Sequence, residues 1–322
     1  MKRLSTVVML VVSALWALGA SAQMYPNRPI KLIVADSAGG APDQLGRLIT
    51  ERLSNNVNQP VVVDNRPGAG GALGAELAAK SAPDGYTLLL TTTAIYAILP
   101  NLRKNLPYDP VRDFVPITRI ATASNVLVVN NELPVKDIAE LVKLAKEKPG
   151  ALNYASAGVG TPAHLAGEML NLLADIKVVH VPYKGAAPAL ADVIAGNAQY
   201  IITSPLAAGA HMNGGRVRAL ATTGTQRNPS LPDLATIAET LPGYDITQTW
   251  GIVVPTGTPP EIVNKLSAEI VKVMNQPDVR EKVLATGATP VGDSPAQFEA
   301  FMTKERQRLG DVIAKRGIVL TD

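Results

Sequence analysis

The chain has 322 residues, of which 47% are hydrophobic and 18% are charged, and this balance excludes an intrinsically disordered protein. The absence of cysteine excludes disulfides, thiolate metal sites and a cysteine nucleophile, and three histidines offer little for a histidine-rich metal site. The formal charge is only +3, and Lys2 and Arg3 belong to a leader, so no basic surface indicates a nucleic-acid-binding protein. The length predicts two domains.

Residues 1–22 have the pattern of a secretory signal peptide. Lys2 and Arg3 form a positive start, residues 7–18 form an apolar core, and Ala-Ser-Ala at 20–22 fits the small-residue cleavage rule. We therefore predict cleavage near Ala22 and export of the mature chain. The alternative is an uncleaved anchor helix, but the apolar core is short against the roughly 20 residues that span a bilayer.

From Ile30 onward, short β-branched segments alternate with segments that have helical periodicity. This alternation predicts α/β architecture with mostly parallel sheets flanked by helices. Helix starts are predicted where Asp137 precedes Glu140, at Thr161, where Thr258 precedes Glu261, and where Ser294 precedes Gln297. The predicted strands are 30–35, 60–65, 87–92, 126–130, 152–156, 178–182, 199–204, 219–223 and 250–255.

Two predicted strand–loop–helix junctions carry a glycine-containing loop. The first loop spans 36–40 before a helix that begins near Pro42, and the second spans 157–161 before a helix from Pro162. A helix N-terminus offers unpaired N–H groups and a partial positive charge, and glycine lets a ligand approach the backbone. The two loops predict a small-anion cleft. Ordinary tight turns between strand and helix are the alternative interpretation.

Several linear motifs occur in a fixed order along the mature chain. The most specific is Asn-Arg-Pro-Gly-Ala-Gly-Gly at 65–71, followed by Pro-Asp-Gly-Tyr-Thr-Leu-Leu at 83–89. The others are Tyr-Pro at 25–26, Gly-Gly at 39–40 with Asp43 and Arg47, Gly-Val-Gly-Thr at 158–161, Val-Pro-Tyr-Lys-Gly at 181–185 and Trp-Gly at 250–251. With these motifs the chain resembles the Bug family, the TctC-type substrate-binding proteins of tripartite tricarboxylate transport systems.

The resemblance implies a two-lobed periplasmic-binding-protein fold of the type II kind. A discontinuous first domain would combine 24–124 with 250–322, and the second domain would be 125–249. The function implied is that of a monomeric periplasmic receptor that captures a small organic carboxylate or related metabolite. It would deliver this ligand to membrane components of a tripartite tricarboxylate transporter, or present it to a sensor.

The resemblance also implies which positions contact the ligand, and no cofactor or metal is expected among them. The expected contacts from the first domain are Asp36, Ser37, Ala38, Gly39, Gly40, Asp43, Ala69, Thr91 and Thr92. Those from the second domain are Ser156, Ala157, Gly160, Thr161, His164 and Thr203.

Two positions depart from the family pattern. The family usually has an aromatic residue at Asp36, and it often has a ligand-contacting aspartate at Thr203. Two like charges about 4 Å apart cost about 4 kcal/mol at an effective dielectric constant of about 20. Either Asp36 therefore points away from a bound carboxylate, or the ligand carries a cation or several donors there. We expect the protein not to bind simple dicarboxylates of the citrate or succinate type tightly.

Three other chemistries are weaker interpretations of the same residues. The loop 158–163 matches a common form of the dinucleotide fingerprint, and His164 with Glu168 has the spacing of a metal-ligand pair without a third ligand. Ser156 could be the nucleophile of a periplasmic hydrolase of a small acyl substrate, but it lacks the Gly-x-Ser-x-Gly elbow. We therefore expect a non-catalytic receptor, with the hydrolase as the alternative.

Overall fold

A computed structural model describes residues 25–183 and 185–318. The predicted leader 1–22 and its cleavage site at Ala22 lie outside these residues, as do position 24 and positions 319–322 of the predicted first domain. The described part of the chain contains no helix long and apolar enough to cross a membrane.

The first lobe is built on a six-stranded sheet with strand order β11-β4-β10-β3-β1-β2. Strand β1 pairs in parallel with β2 and β3, whereas β10 is antiparallel to β3 and β4, and β11 is antiparallel to β4. Its strands are β1 (Ile30–Val34), β2 (Val61–Asn65), β3 (Thr87–Thr92), β4 (Phe114–Ser124), β10 (Thr247–Pro255) and β11 (Thr289–Pro290). The helices in these parts of the chain are α1 (Ala41–Val57), α2 (Ala72–Ala79), α3 (Leu99–Leu102), α9 (Pro260–Met274), α10 (Pro277–Ala285) and α11 (Pro295–Arg316). A π-helical segment, Ala94–Ile98, precedes α3.

The second lobe is built on a five-stranded sheet with strand order β7-β6-β8-β5-β9. Strand β6 is parallel to β7 and β8, and β5 is antiparallel to β8 and β9. Its strands are β5 (Val126–Asn130), β6 (Asn153–Ser156), β7 (Val179–Pro182), β8 (Tyr200–Thr203) and β9 (Val217–Thr222). Its helices are α4 (Ile138–Glu147), α5 (Pro162–Ala174), α6 (Ala186–Ile194), α7 (Pro205–Asn213) and α8 (Ile237–Thr240).

The α/β architecture is confirmed, but both sheets are mixed where mostly parallel sheets were predicted. Strands β5 and β10 cause most of the difference, because each one enters its sheet where the chain crosses between lobes and runs against both of its neighbours. The short edge strand β11 is also antiparallel to its neighbour β4. Strand β4 was not predicted at all, although it is the longest strand described.

The chain passes between the sheets at two adjacent points. It leaves the first sheet after Ser124, at the end of β4, and returns through residues 223–246 to β10. The amide of Asn125 donates to the Thr223 hydroxyl at 2.8 Å, and that hydroxyl donates to the carbonyl of Ile246 at 2.7 Å. These bonds tie the two crossing segments together.

The helix starts were predicted with one error. The side chains of Asp137, Thr161 and Ser294 accept hydrogen bonds from the backbone N–H three residues later, as a capping residue should. Thr258 does not do so. Its hydroxyl donates to the carbonyl of Pro255 at 2.7 Å, and the helix begins two residues later, at Pro260.

Candidate ligand-binding cleft

A cavity of about 390 Å³ lies between the two lobes. This volume is near the lower end of the roughly 300–1,000 Å³ of small-molecule sites, so the cavity suits a small ligand. Larger depressions of about 670 and 530 Å³ occur elsewhere, but residues of the first lobe alone line them. The interlobe cavity is lined by Ala35, Asp36, Ser37, Pro42, Pro67, Gly68, Ala69, Gly70, Gly71, Thr92, Ala94, Leu99, Arg103, Val159, Gly160, Thr161, Pro162 and Gln248.

Three amides of the first glycine loop are bonded within the chain itself. The Ser37 N–H donates to Asp36 Oδ1 at 2.7 Å, and the Gly39 N–H donates to Asp43 Oδ2 at 2.8 Å. The Gly40 N–H donates to the Ser37 carbonyl at 3.3 Å. Two carboxylates therefore already satisfy the partial positive charge at the start of α1, and this loop offers a ligand fewer donors than its sequence suggests.

Asp43 is a structural carboxylate of this loop. It is 3% exposed, and besides the Gly39 N–H it accepts hydrogen bonds from Arg47 at 3.0 Å and from Asn65 at 3.0 Å. Burial acts to raise the pKa of the Asp43 carboxyl, but the bonds from Arg47, Gly39 and Asn65 outweigh it and lower that pKa. Asp43 thus joins α1 to the end of β2 as a charged group.

The Gly-Ala-Gly-Gly loop at 68–71 supplies the donors that the first loop lacks. All four residues have positive φ, and at Ala69 the value is +52°, which is uncommon for a residue with a side chain. Successive amides in such a conformation form a concave, anion-binding surface. Among the described residues, no acceptor bonds the N–H of Ala69 or Gly70, and both residues line the cavity.

The second lobe contributes the loop 157–161 at the start of α5. Thr161 caps this helix, and its hydroxyl also donates to the carbonyl of Gly158 at 2.7 Å. The Gly160 N–H donates to His164 Nδ1 at 3.2 Å, so it is already satisfied. The Val159 N–H has no acceptor among the described residues and belongs to a residue that lines the cavity.

A stack of aromatic rings supports this loop from behind. The ring centroids of His164 and His180 are 4.1 Å apart, those of His180 and Tyr154 are 4.9 Å apart, and Tyr154 stacks on Tyr200 at 5.6 Å. The Tyr154 hydroxyl donates to Glu168 at 2.8 Å, and the other oxygen of Glu168 accepts from Arg316 of α11 at 2.9 Å. This network connects the loop to a helix that also packs on the first sheet.

The expected contact residues fall into two groups. The structure brings together at the cavity Asp36, Ser37, Ala69, Thr92, Gly160 and Thr161. The residues that do not line it are Ala38, Gly39, Gly40, Asp43, Thr91, Ser156, Ala157, His164 and Thr203. Of the latter, Asp43, Ser156 and His164 hold the loops in place through the hydrogen bonds described here.

Sequence reasoning missed two polar residues of the cavity, Arg103 and Gln248. Arg103 follows α3, and its Nε is buried without a hydrogen-bond partner. Gln248 lies on β10 close to the interlobe crossing. Neither residue is near a glycine loop in sequence, so no local motif signals a role in binding.

Ser156 and His180 are placed like the nucleophile and the base of a hydrolase, with 2.6 Å between Oγ and Nε2. Ser156 is fully buried, however, and its hydroxyl also bonds the N–H and the carbonyl of Gly158 at 3.1 Å each. No carboxylate oxygen is hydrogen-bonded to His180 in the described part of the chain. The pair therefore stabilises the loop and is not arranged to attack a substrate.

The histidine stack predicts a loss of stability in mild acid. Burial lowers the pKa of His164, and burial together with the neighbouring His164 lowers the pKa of His180 to about 4. The unfolded chain therefore binds protons more readily than the folded chain as the pH falls from about 6.5 towards 4, so stability decreases in that interval. Protonation of His164 Nδ1 would also remove the acceptor of the Gly160 N–H.

Thermal unfolding at pH 7.5 and pH 4.5 tests this prediction in the wild type and in His180→Phe. Phenylalanine keeps a ring in the stack but does not titrate. We expect the midpoint temperature of the wild type to fall more between the two pH values than that of the variant. Equal decreases would show that His180 does not cause the acid sensitivity.

The described residues contain no group of histidine and carboxylate side chains that could hold a metal ion. The spacing of His164 and Glu168 has another explanation, since His164 bonds the Gly160 N–H while Glu168 bonds Tyr154 and Arg316. Both residues therefore have structural partners.

Comparison with solved structures places the fold among two-lobed solute-binding proteins. A structure described as R. palustris Rpa4515 with adipate matches with a TM-score of 0.82 and 35% identity, over 92% of this chain and all of that one. MatC from Rhodopseudomonas palustris with bound malate matches with a TM-score of 0.76 and 30% identity, over 90% of this chain and all of that one.

Sequence comparison gives the same family. BugT of Bordetella pertussis is 35% identical over 99% of each chain, and a protein encoded in the tcbD–tcbE intergenic region of Pseudomonas sp. strain P51 is 39% identical over 90% of this chain and 87% of that protein. The model of the tripartite tricarboxylate transporter family receptor, TctC, matches residues 45–318. The chain therefore belongs to the TctC family of tripartite tricarboxylate transporter receptors, also known as the Bug proteins.

Proposed function

We propose that this protein captures a small organic carboxylate in the interlobe cavity, as a non-catalytic periplasmic receptor. The observation that carries the proposal is that unpaired backbone N–H groups from both lobes, at Ala69, Gly70 and Val159, belong to one cavity. A carboxylate that accepts from both sides would hold the lobes together. Exclusion of water would strengthen each such charge-assisted hydrogen bond.

The relatives support a carboxylate as the class of ligand. The structures of Rpa4515 and MatC are described with adipate and with malate, respectively, and both proteins align with nearly the whole of this chain. Neither adipate nor malate is proposed as the ligand of this chain, because the side chains that surround the backbone donors decide which carboxylate binds.

We further propose that the two lobes correspond to the domains 24–124 with 250–322 and 125–249. This division is supported by the two sheets, since β4 ends at Ser124 and β5 begins at Val126. Strand β10 begins at Thr247 and pairs with β3 and β4, so the return to the first lobe lies about three residues before the predicted boundary. Cleavage of the leader near Ala22, a monomeric state and delivery to a transporter or a sensor are parts of the same proposal.

Titration calorimetry against a panel of mono- and dicarboxylates, amino acids and heteroaromatic acids tests the proposal. We expect saturable binding of at least one carboxylate with one site per chain and no chemical change of the ligand. Fluorescence of Trp250, which is 3% exposed on β10, provides a second readout of the same titration. Formation of a product from an acyl substrate would support the hydrolase, and binding of no carboxylate would contradict the receptor.

A further inference from the structure

The interlobe cavity contains one cationic and one anionic side chain among its lining residues, Arg103 and Asp36. All other described lining residues are uncharged. The two side chains do not form an ion pair with each other, and Arg103 pairs with no other described carboxylate. A cavity with two separated, opposite charges is complementary to a ligand that also carries two opposite charges.

Arg103, which also lines the depression of about 530 Å³ in the first lobe, has a guanidinium that is free to bind an anion. Its Nε is buried without a partner, and no described residue accepts a hydrogen bond from its guanidinium. A buried donor of this kind is costly unless something bonds to it, and a carboxylate fits the planar fork of a guanidinium. The backbone N–H of Arg103 bonds the carbonyl of Leu99, and a Cβ placed on Gly70 would lie 3.5 Å from Leu99 Cδ2. Arg103 thus follows, by one helical turn, a residue that lies beside the loop 68–71 and lines the same cavity.

Asp36 has a carboxylate oxygen that is free to bind a hydrogen-bond donor or a cation. Its Oδ1 accepts from the Ser37 N–H, whereas Oδ2 has no partner among the described residues. The side chain is exposed at the cavity, beside the N-terminus of α1. A second carboxylate of a ligand at this position would be repelled by the negative charge of Asp36, and the Ser37 N–H beside it is already bonded to Asp36.

Apart from Asp36, the described lining residues of the cavity include no carboxylate. Thr203, one of the expected contact residues, is 5% exposed and does not line the cavity. An amine bound in this cavity would therefore have Asp36 as its carboxylate partner.

We infer that Arg103 and Asp36 determine specificity for a dipolar ligand, whose carboxylate binds Arg103 and the free amides of 69–70 and whose cationic end binds Asp36. The class of ligand is a linear amino acid with its amine distant from its carboxylate, or a compound with the same separation of charges. This inference rests on the proposed function and adds the chemistry of both ends of the ligand.

Two series of probes, each matched in chain length, test the inference by calorimetry. The first is 6-aminohexanoate, adipate and hexanoate, and the second is 4-aminobutanoate, succinate and butyrate. In at least one series we expect the wild type to bind the amino acid about tenfold or more tightly than the dicarboxylate, which corresponds to about 1.4 kcal/mol. Asp36→Asn should reduce this ratio by about tenfold, because it removes both the attraction for the amine and the repulsion of the second carboxylate.

Arg103→Gln provides the complementary test at the other end of the ligand. It should weaken the amino acid, the dicarboxylate and the monocarboxylate of a series by a similar factor of about 10, since all three share the carboxylate that Arg103 binds. Neither side chain is fully buried, so the midpoint temperature of unfolding of both variants should stay close to that of the wild type. Lys104→Gln, at an exposed neighbour of Arg103 that does not line the cavity, is the matched control and should leave every affinity unchanged.

Three outcomes would overturn the inference while the proposed function stands. The first is a wild type that binds the dicarboxylate more tightly than the amino acid in both series. The second is an Asp36→Asn variant with the same ratio of the two affinities as the wild type. The third is a wild type that binds panel carboxylates without a cationic group but binds no compound of either series. If no carboxylate binds at all, the proposed function fails together with the inference.

Discussion

Replacing Val159 by tryptophan is expected to weaken carboxylate binding by about 100-fold or more, which corresponds to about 2.8 kcal/mol. Val159 lines the cavity from the second lobe, is 40% exposed and lies in the loop that faces the first lobe. An indole at this position would fill part of a cavity of only about 390 Å³ and would prevent the lobes from closing on a ligand. Calorimetry with the tightest ligand from the panel measures the loss.

Leu173→Trp is the control for this substitution. Leu173 has the same exposure of 40%, lies on α5 of the same lobe and does not line the cavity. We expect its affinity and its unfolding temperature to match those of the wild type. If Val159→Trp binds the ligand as tightly as Leu173→Trp does, the ligand does not occupy this cavity.

Replacing Gly167 by alanine is expected to destabilise the protein by about 1–3 kcal/mol, although alanine is normally the better helix residue. A Cβ on Gly167 would lie 2.3 Å from Tyr154 Cε2 and 2.4 Å from Cζ. Tyr154 cannot easily move away, since it is fully buried, stacks on His180 and bonds Glu168. Denaturant unfolding of the variant measures the change in the free energy of unfolding.

Gly209→Ala is the matched substitution at a helical glycine with free space around it. Gly209 lies within α7, and no heavy atom is within 4 Å of an added Cβ. Alanine should therefore stabilise the protein here by roughly 0.5–1 kcal/mol, through the lower entropy that the backbone loses on folding. Opposite signs for the two variants are expected. A Gly167→Ala protein as stable as the wild type would show that the tyrosine stack is loosely packed.

The α/β fold could be predicted from the sequence because the alternation of short apolar strands with helical segments is a local pattern. Strand β4 was missed for a physical reason: it contains Pro116 and mixes polar and apolar residues without a clear alternation. It pairs with β10 along most of its length, with two register shifts. Pairing between segments more than 100 residues apart leaves no local pattern to detect.

The sequence indicated which glycine loops border the cavity, but not which of their amides are free to bind a ligand. The glycine loops at 36–40 and 157–161 do meet at one cavity, yet most of their amides are bonded within the chain, by Asp36 and Asp43 in one lobe and by His164 in the other. Which amides remain free depends on how these side chains fold back on the loops, and residue spacing does not encode this. Arg103 was missed because only the turn after α3 brings it to the cavity.

Amide hydrogen exchange with and without a saturating carboxylate tests the central claim most directly. If the ligand accepts hydrogen bonds from the free amides of both lobes, exchange should slow in the peptides that contain 68–71 and in those that contain 158–161. Binding that is measured by calorimetry but leaves both loops unprotected, or protects only the depression beside Tyr25 and Lys265, would contradict the account.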